Sequence, residues 1–165
     1  RYSSSAASDV YKRQVYCLPF NDFDAVEQCL NDHHGEIAAL LVEPCLGNIV
    51  GIEPKDGFLQ HLRNLCDKYN VVLIFDEVKT GFRLSNGGAR ETYEVIPDIS
   101  TYAKSLGNGV PVAAFGGKSE VMNVIGGGSV AHAGTFGGNG VSMSAANAVL
   151  DILNEAPVLL SLIHI

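Results

Sequence analysis

Val71-Val72-Leu73-Ile74-Phe75 runs through five apolar residues without a polar interruption and stops at two carboxylates, Asp76 and Glu77. A strand with one wet face alternates polar and apolar side chains. One that does not alternate reads as a central strand of a parallel sheet, covered on both faces. Just before it, Phe58, Leu59, Leu62, Leu65, Cys66 and Tyr69 recur at helical spacing behind Asp56, the expected N-cap. A helix that feeds directly into a buried strand confines the chain to layered α/β architectures.

The rest of the sequence keeps that alternation. Phe23, Val26, Cys29 and Leu30 predict a helix from Asp22 that His33-His34-Gly35 stops. Ile37–Val42 is a short apolar strand ending at Glu43-Pro44, and Ile99–Tyr102 and Val112–Phe115 are two more. Helices are expected near Arg90–Glu94, before the breaker Pro97-Asp98, and over Ser119–Ile125 and Ser142–Leu153. The order predicts a mostly parallel sheet in an open α/β structure, with no internal repeat and no low-complexity linker.

Composition closes off other classes. With 47% hydrophobic and 18% charged residues, the chain can bury a core and does not read as disordered. Its 11 Lys and Arg against 18 Asp and Glu give a net charge of −7, which argues against nucleic acid as the main partner. No apolar run reaches the roughly 18 residues that cross a bilayer, so no membrane segment is expected. Cys17, Cys29, Cys45 and Cys66 lack paired metal-ligand spacing, and a reduced cytoplasmic chain without a metal is the simplest reading.

Both ends look foreign. Asp9-Val10-Tyr11-Lys12-Arg13-Gln14 can be encoded by GATGTGTATAAGAGACAG, and the reverse complement of that DNA encodes Leu160-Ser161-Leu162-Ile163-His164-Ile165. The shared DNA resembles the end of a transposase-type sequencing adaptor, with Ser4-Ser5-Ala6-Ala7-Ser8 as primer sequence beside it. Residues 1–14 and 160–165 are therefore expected to be scars, with about 145 native residues, 15–159, drawn from a larger cofactor domain. Without the N-terminal scar's Arg1, Lys12, Arg13 and Asp9, 8 basic residues face 17 acidic ones, a net charge of −9.

Ligands of open α/β sheets bind beyond the carboxyl ends of the strands. The first polar residues there are Glu43, Asp76-Glu77 and Lys104. Asp76, behind five apolar residues, sits where a carboxylate is partly desolvated and needs a partner. Lys104 follows Ile99–Tyr102 and precedes Ser105-Leu106-Gly107-Asn108-Gly109, which reads as a flexible turn that a ligand can approach. On spacing alone, an Asp76–Lys104 ion pair and two separately solvated loop ends both stay open.

Three segments narrow the choice: Leu73-Ile74-Phe75-Asp76-Glu77-Val78-Lys79-Thr80-Gly81-Phe82-Arg83, Ala103-Lys104-Ser105-Leu106-Gly107-Asn108-Gly109-Val110-Pro111 and Gly134-Thr135-Phe136-Gly137-Gly138-Asn139. In this order, with 28 residues from Asp76 to Lys104, they resemble the class III, fold type I, pyridoxal-phosphate-dependent aminotransferases over nearly everything between the scars. Glu43-Pro44 with Gly47-Asn48, and Thr80-Gly81-Phe82-Arg83 with no glycine between Phe82 and Arg83, are more similar to the glutamate-1-semialdehyde 2,1-aminomutase branch than to the ω-amino-acid transaminases.

The resemblance implies part of the mostly parallel large domain of such an enzyme, with pyridoxal 5'-phosphate as cofactor, an amino-acid-type small molecule as substrate and a homodimer in the full-length parent. It implies that Lys104 carries the cofactor covalently and then moves a proton. Asp76 would pair with the protonated pyridine nitrogen, and Val78 would pack on the ring unless it is ordinary core. Thr135, with the Gly134 and Phe136 backbone, would hold the phosphate of the neighbouring protomer. Glu43 reads better as a capped strand end than as a residue that positions a loop.

The remaining features read as structural. His33-His34 is a solvated helix end, His61 lies on an exposed helix face and His132 structures its loop. Gly126-Gly127-Gly128 and Gly137-Gly138 lack the spacing of a dinucleotide fingerprint, which sets a nucleotide-binding module aside. Gly140 stands where the family has a proline, loosening the start of the last helix. Lys79 replaces a Gln or Met on a turn where little should change. The family's upstream phosphate cradle, ring-stacking aromatic and small domain have no counterpart here. Three readings result: an aminomutase parent, another class III transaminase, or a chain that is non-catalytic alone.

Overall fold

The computed structural model describes residues 15–126 and 128–161. Residues 1–14, expected from sequence to be a scar, Gly127 of the triple-glycine loop and Leu162–Ile165 lie outside them. Within them the chain runs α1 (Phe23–Asp32), β1 (Ala39–Val42), α2 (Phe58–Tyr69), β2 (Val72–Asp76), α3 (Ala89–Thr92), β3 (Ile99–Tyr102), a 3-10 turn (Lys104–Leu106), β4 (Ala114–Gly117), α4 (Ser119–Gly126), α5 (Gly140–Glu155) and α6 (Val158–Ser161). The four strands form one sheet in chain order, with β1, β2 and β3 parallel and β4 antiparallel to β3. The mostly parallel α/β sheet is thus the observed architecture.

One face of that sheet carries the core. Val26 and Leu30 of α1 and Phe58, Leu59, Leu62, Leu65 and Cys66 of α2 enclose Val71, Leu73 and Phe75 of the β2 segment, the last two at 0% exposure. Burying each such side chain contributes about 1.5–3 kcal/mol. The other face of β2, with Val72, Ile74 and Asp76, is only half-buried, because both core helices pack on the first face. Coverage on both faces, expected from the unbroken apolar run, is therefore complete on one side only.

The caps show how local chemistry set the boundaries. Asp22 caps α1 by accepting from Ala25 N–H at 3.0 Å. Asp56 does not cap α2. The turn Lys55–Phe58 closes at 2.9 Å and leaves Gly57, left-handed at φ 77, in the cap position. Asn139 caps α5 by accepting from Val141 and Ser142, so the helix start at Gly140 is tied rather than loose. His61 is half-buried rather than exposed. It lies three residues after Phe58 on the α2 face that meets Phe23, whose ring centroid is 5.1 Å away. His33 is not simply solvated, since Tyr16 stacks on it at 4.3 Å.

Asp98, read from sequence as part of a chain breaker, is the buried charge that joins these layers. Its Oδ2 accepts from Arg63 of α2 at 2.8 Å and from Leu73 N–H of β2 at 2.7 Å, while Lys118 reaches Oδ1 at 2.8 Å. All four cysteines are free thiols, and burial pushes the Cys66 thiol up to about 12. Among the described residues no helix is long and apolar enough to cross a membrane.

Candidate active site

Parallel pairing of β2 with β3 brings the two candidate groups to one end of the sheet. Ile74, Phe75 and Asp76 pair with Ile99, Ser100 and Thr101, so Asp76 ends its strand beside Thr101, and Lys104 begins the turn after β3. Asp76 is half-buried. Its Oδ1 accepts from Val78 N–H at 3.0 Å and from the Thr101 hydroxyl at 3.5 Å. Among the described residues Asp76 and Lys104 form no ion pair. Of the two arrangements that spacing left open, the carboxylate is held by its own strand ends and the ammonium stands free of it.

Lys104 has an exposed side chain and a left-handed backbone at φ 45. An L-residue with a Cβ rarely holds that conformation. Here its carbonyl accepts from Gly107 at 3.1 Å and Asn108 at 2.9 Å, which fixes it at the head of the 3-10 turn. Leu106 is buried beneath. The segment read as a flexible turn is thus a closed one, because its leucine is anchored.

Glu77, between Asp76 and Val78, points the other way. It continues the buried face of Val71, Leu73 and Phe75 and is 0% exposed. Its Oε2 accepts from Ala89 N–H at 2.6 Å and Thr80 Oγ1 at 3.3 Å, closing the Val78–Thr80 turn and the start of α3 onto β2. Burial pushes its carboxyl up, against the opposing hydrogen bonds from Ala89, Thr80 and Arg90 and the Arg90 charge. A Cβ on Gly88, whose φ is 68, would strike this carboxylate, so only glycine lets the loop cross there.

Glu43 ties the loop after β1, accepting from Gly47 N–H at 3.1 Å and Asn48 Nδ2 at 3.4 Å. Lys79 is not idle. Its Nζ donates to the Gly47 carbonyl at 3.1 Å, bonding that loop to the turn after Asp76. Phe82, at φ 60, leans its ring 5.5 Å from that of Tyr102.

Gly134 and Thr135 lie on the exposed stretch between α4 and α5. His132 sets its ring edge-on to Phe115 of β4 at 5.2 Å, which attaches this loop to the sheet. His132, Ala133, Gly134, Gly137 and Gly138 line an open hollow. Thr101, Glu77 and Asp98 went unassigned in the sequence. No signal in the sequence singles out Thr101, because Asp76 is fifth in β2 and Thr101 third in β3, and only the register pairs them.

This arrangement suits a small cationic ligand with an electrophilic carbon. A half-buried carboxylate carries both its hydrogen bonds on one oxygen, and an amine stands exposed past the adjacent strand end. Among the described residues no group of three or more metal-capable side chains is present.

The family model "Aminotransferase class-III" matches residues 8–163. A glutamate-1-semialdehyde 2,1-aminomutase of Thermodesulfovibrio yellowstonii is 46% identical over 149 residues, 90% of this chain and 35% of that protein. An omega-transaminase from Sphaerobacter thermophilus superposes with a TM-score of 0.84 at 35% identity, over 95% of this chain and 36% of that one. A transaminase with PLP bound gives a TM-score of 0.78 at 30% identity, over 86% and 34%. The chain spans about a third of the length of the curated relatives it matches. With a family match over most of its length, the chain belongs to the class-III aminotransferases.

Proposed function

We propose that residues 15–159 are the middle of the cofactor domain of a pyridoxal-phosphate-dependent enzyme. The parent shifts the amino group within glutamate-1-semialdehyde to give 5-aminolevulinate, and works as a cytoplasmic homodimer. The observation that supports this best is the parallel register that sets Asp76 and Lys104 at neighbouring strand ends. The aminomutase relative supports the choice of reaction. Residues 1–14 and 160–165 are scars in this reading, supported by the DNA that both ends share.

Pyridoxal phosphate, when bound, supplies an electron sink for the carbanion left as a substrate proton departs. Asp76 would hold the ring nitrogen's proton by a charge-assisted bond, and Val78 would pack on the ring. Lys104 Nζ would hold the cofactor covalently and, when free, would carry a proton at the substrate carbon. Thr135 and the Gly134 amide would bind the phosphate across the dimer.

Incubating the complete parent protein with pyridoxal phosphate and then borohydride should fix the cofactor on Lys104, as read by peptide mass spectrometry. An unlabelled Lys104 overturns the proposal. The second reading, a chain without turnover of its own, is supported by its span of about a third of its relatives. Measurable turnover by the isolated 165 residues would contradict that reading.

A further inference from the structure

Asp76 and Thr101 are register partners on parallel strands, so their side chains stand on the same face of the sheet. The Thr101 carbonyl accepts from Glu77 N–H at 3.0 Å, which fixes the residue against the end of β2. On its other flank Thr101 pairs with Phe115 of β4. Held on both sides, the half-buried Thr101 donates its hydroxyl to Asp76 Oδ1 at 3.5 Å, the oxygen that also accepts from Val78 N–H at 3.0 Å. Among the described residues Asp76 Oδ2 receives no hydrogen bond.

A carboxylate with both donors on one oxygen is no longer a free rotor. Turning the group would break both bonds, and the second oxygen keeps one direction. We propose that Thr101 is a positioning residue that, with the Val78 amide, locks the Asp76 carboxylate so that Oδ2 faces a protonated ring nitrogen. The inference rests on Asp76 as the ring partner, and adds to it the group that aims it. At 3.5 Å the hydroxyl is the weaker of the two donors, so its removal costs a moderate factor and leaves the site assembled.

The test compares Thr101→Val, which keeps the shape and loses the hydroxyl, with Thr101→Ser, which keeps the hydroxyl, in the complete parent protein. Wild-type borohydride labelling at Lys104 is established first; if it fails, the cofactor reading itself fails, separately from this one. Thr101→Val should then label Lys104 to the same extent and lose about fivefold in kcat with KM nearly unchanged. It should also move the pH midpoint of the bound cofactor's visible absorption band upward, because a less firmly held ring proton withdraws less electron density. Thr101→Ser should restore both values, and Thr101→Ala should behave as the valine variant does if the latter misfolds. An unchanged midpoint and kcat in a folded, labelled valine or alanine variant overturns the proposal. A shift that serine fails to rescue overturns it as well, since packing rather than the hydroxyl would then be responsible.

Discussion

Asp98 is the residue on which most of the described fold depends electrostatically. It is 7% exposed and carries Arg63, Lys118 and the Leu73 amide on one carboxylate. Burial alone would raise its pKa, but the bonds from Lys118, Leu73 and Arg63, with the Arg63 charge, outweigh burial and hold it below the usual carboxylate range. A carboxyl depressed in the folded state stabilises the fold above its unfolded pKa of about 3.9, and that stability fades as pH falls through the lower folded value. Asp98→Asn leaves Arg63 with only the exposed Asp67, at 2.7 Å, as counter-charge and should cost about 2 kcal/mol at neutral pH. Denaturant unfolding measured from pH 7 to 2 should show the wild type converging on the variant at the acid end; parallel curves would remove Asp98 from the ledger. The sequence marked Asp76 and Lys104 because each is the first polar residue after an apolar run. Asp98 precedes its strand, Thr101 sits inside one and Glu77 hides behind Asp76, so their partners exist only once the strands are in register.

Among the elements, α1 and β3 were legible to the residue. The first has a polar cap before a clean apolar period, and the second lies between a proline and a lysine. Apolar patterning predicts β4 over Val112–Phe115, two residues before the Ala114–Gly117 segment that pairs with β3. Hydropathy favours Val112, but backbone contact favours Gly117, where any Cβ would strike the Asp98 carbonyl and Lys118 N–H reaches that carbonyl at 2.9 Å. α5 offers a direct test of how an element start is specified. Gly140 occupies its first turn, its Cβ direction meets nothing within 4 Å, and Asn139 before it is extended at φ −55 and ψ 123. Both conditions suit proline, which needs an extended predecessor and no N–H of its own at that position. Gly140→Pro should therefore raise stability by about 0.5–1 kcal/mol, chiefly by restricting the unfolded chain, with the Asn139 cap intact. Thermal melts of the two forms decide it, and a lower melting temperature would mean that the loop before α5 requires glycine.

At the scale of the whole molecule, the four-stranded sheet has two outer strands, and among the described residues nothing pairs with the far side of β1. That strand turns Leu40 and Val42 toward the core cluster and leaves Leu41 65% exposed, with Ile49, Val50 and Ile52 exposed in the loop that follows. Unpaired backbone beside apolar side chains is a template for adding another strand. The net charge of −7 opposes this, since every collision of two chains brings like charge together. These two terms respond oppositely to salt. Screening shortens the reach of repulsion from about 30 Å at 10 mM to about 8 Å at 150 mM while leaving strand pairing in place. The 165-residue chain should therefore self-associate more at high ionic strength than at low, as read by sedimentation over a concentration series. Leu41→Lys should suppress that association even though it lowers the net charge from −7 to −6 and so weakens the repulsion. Suppression against the direction of the charge change would identify β1 as the contact. Association that survives the substitution would place it elsewhere, with β4 and its exposed Phe115 as the remaining outer strand.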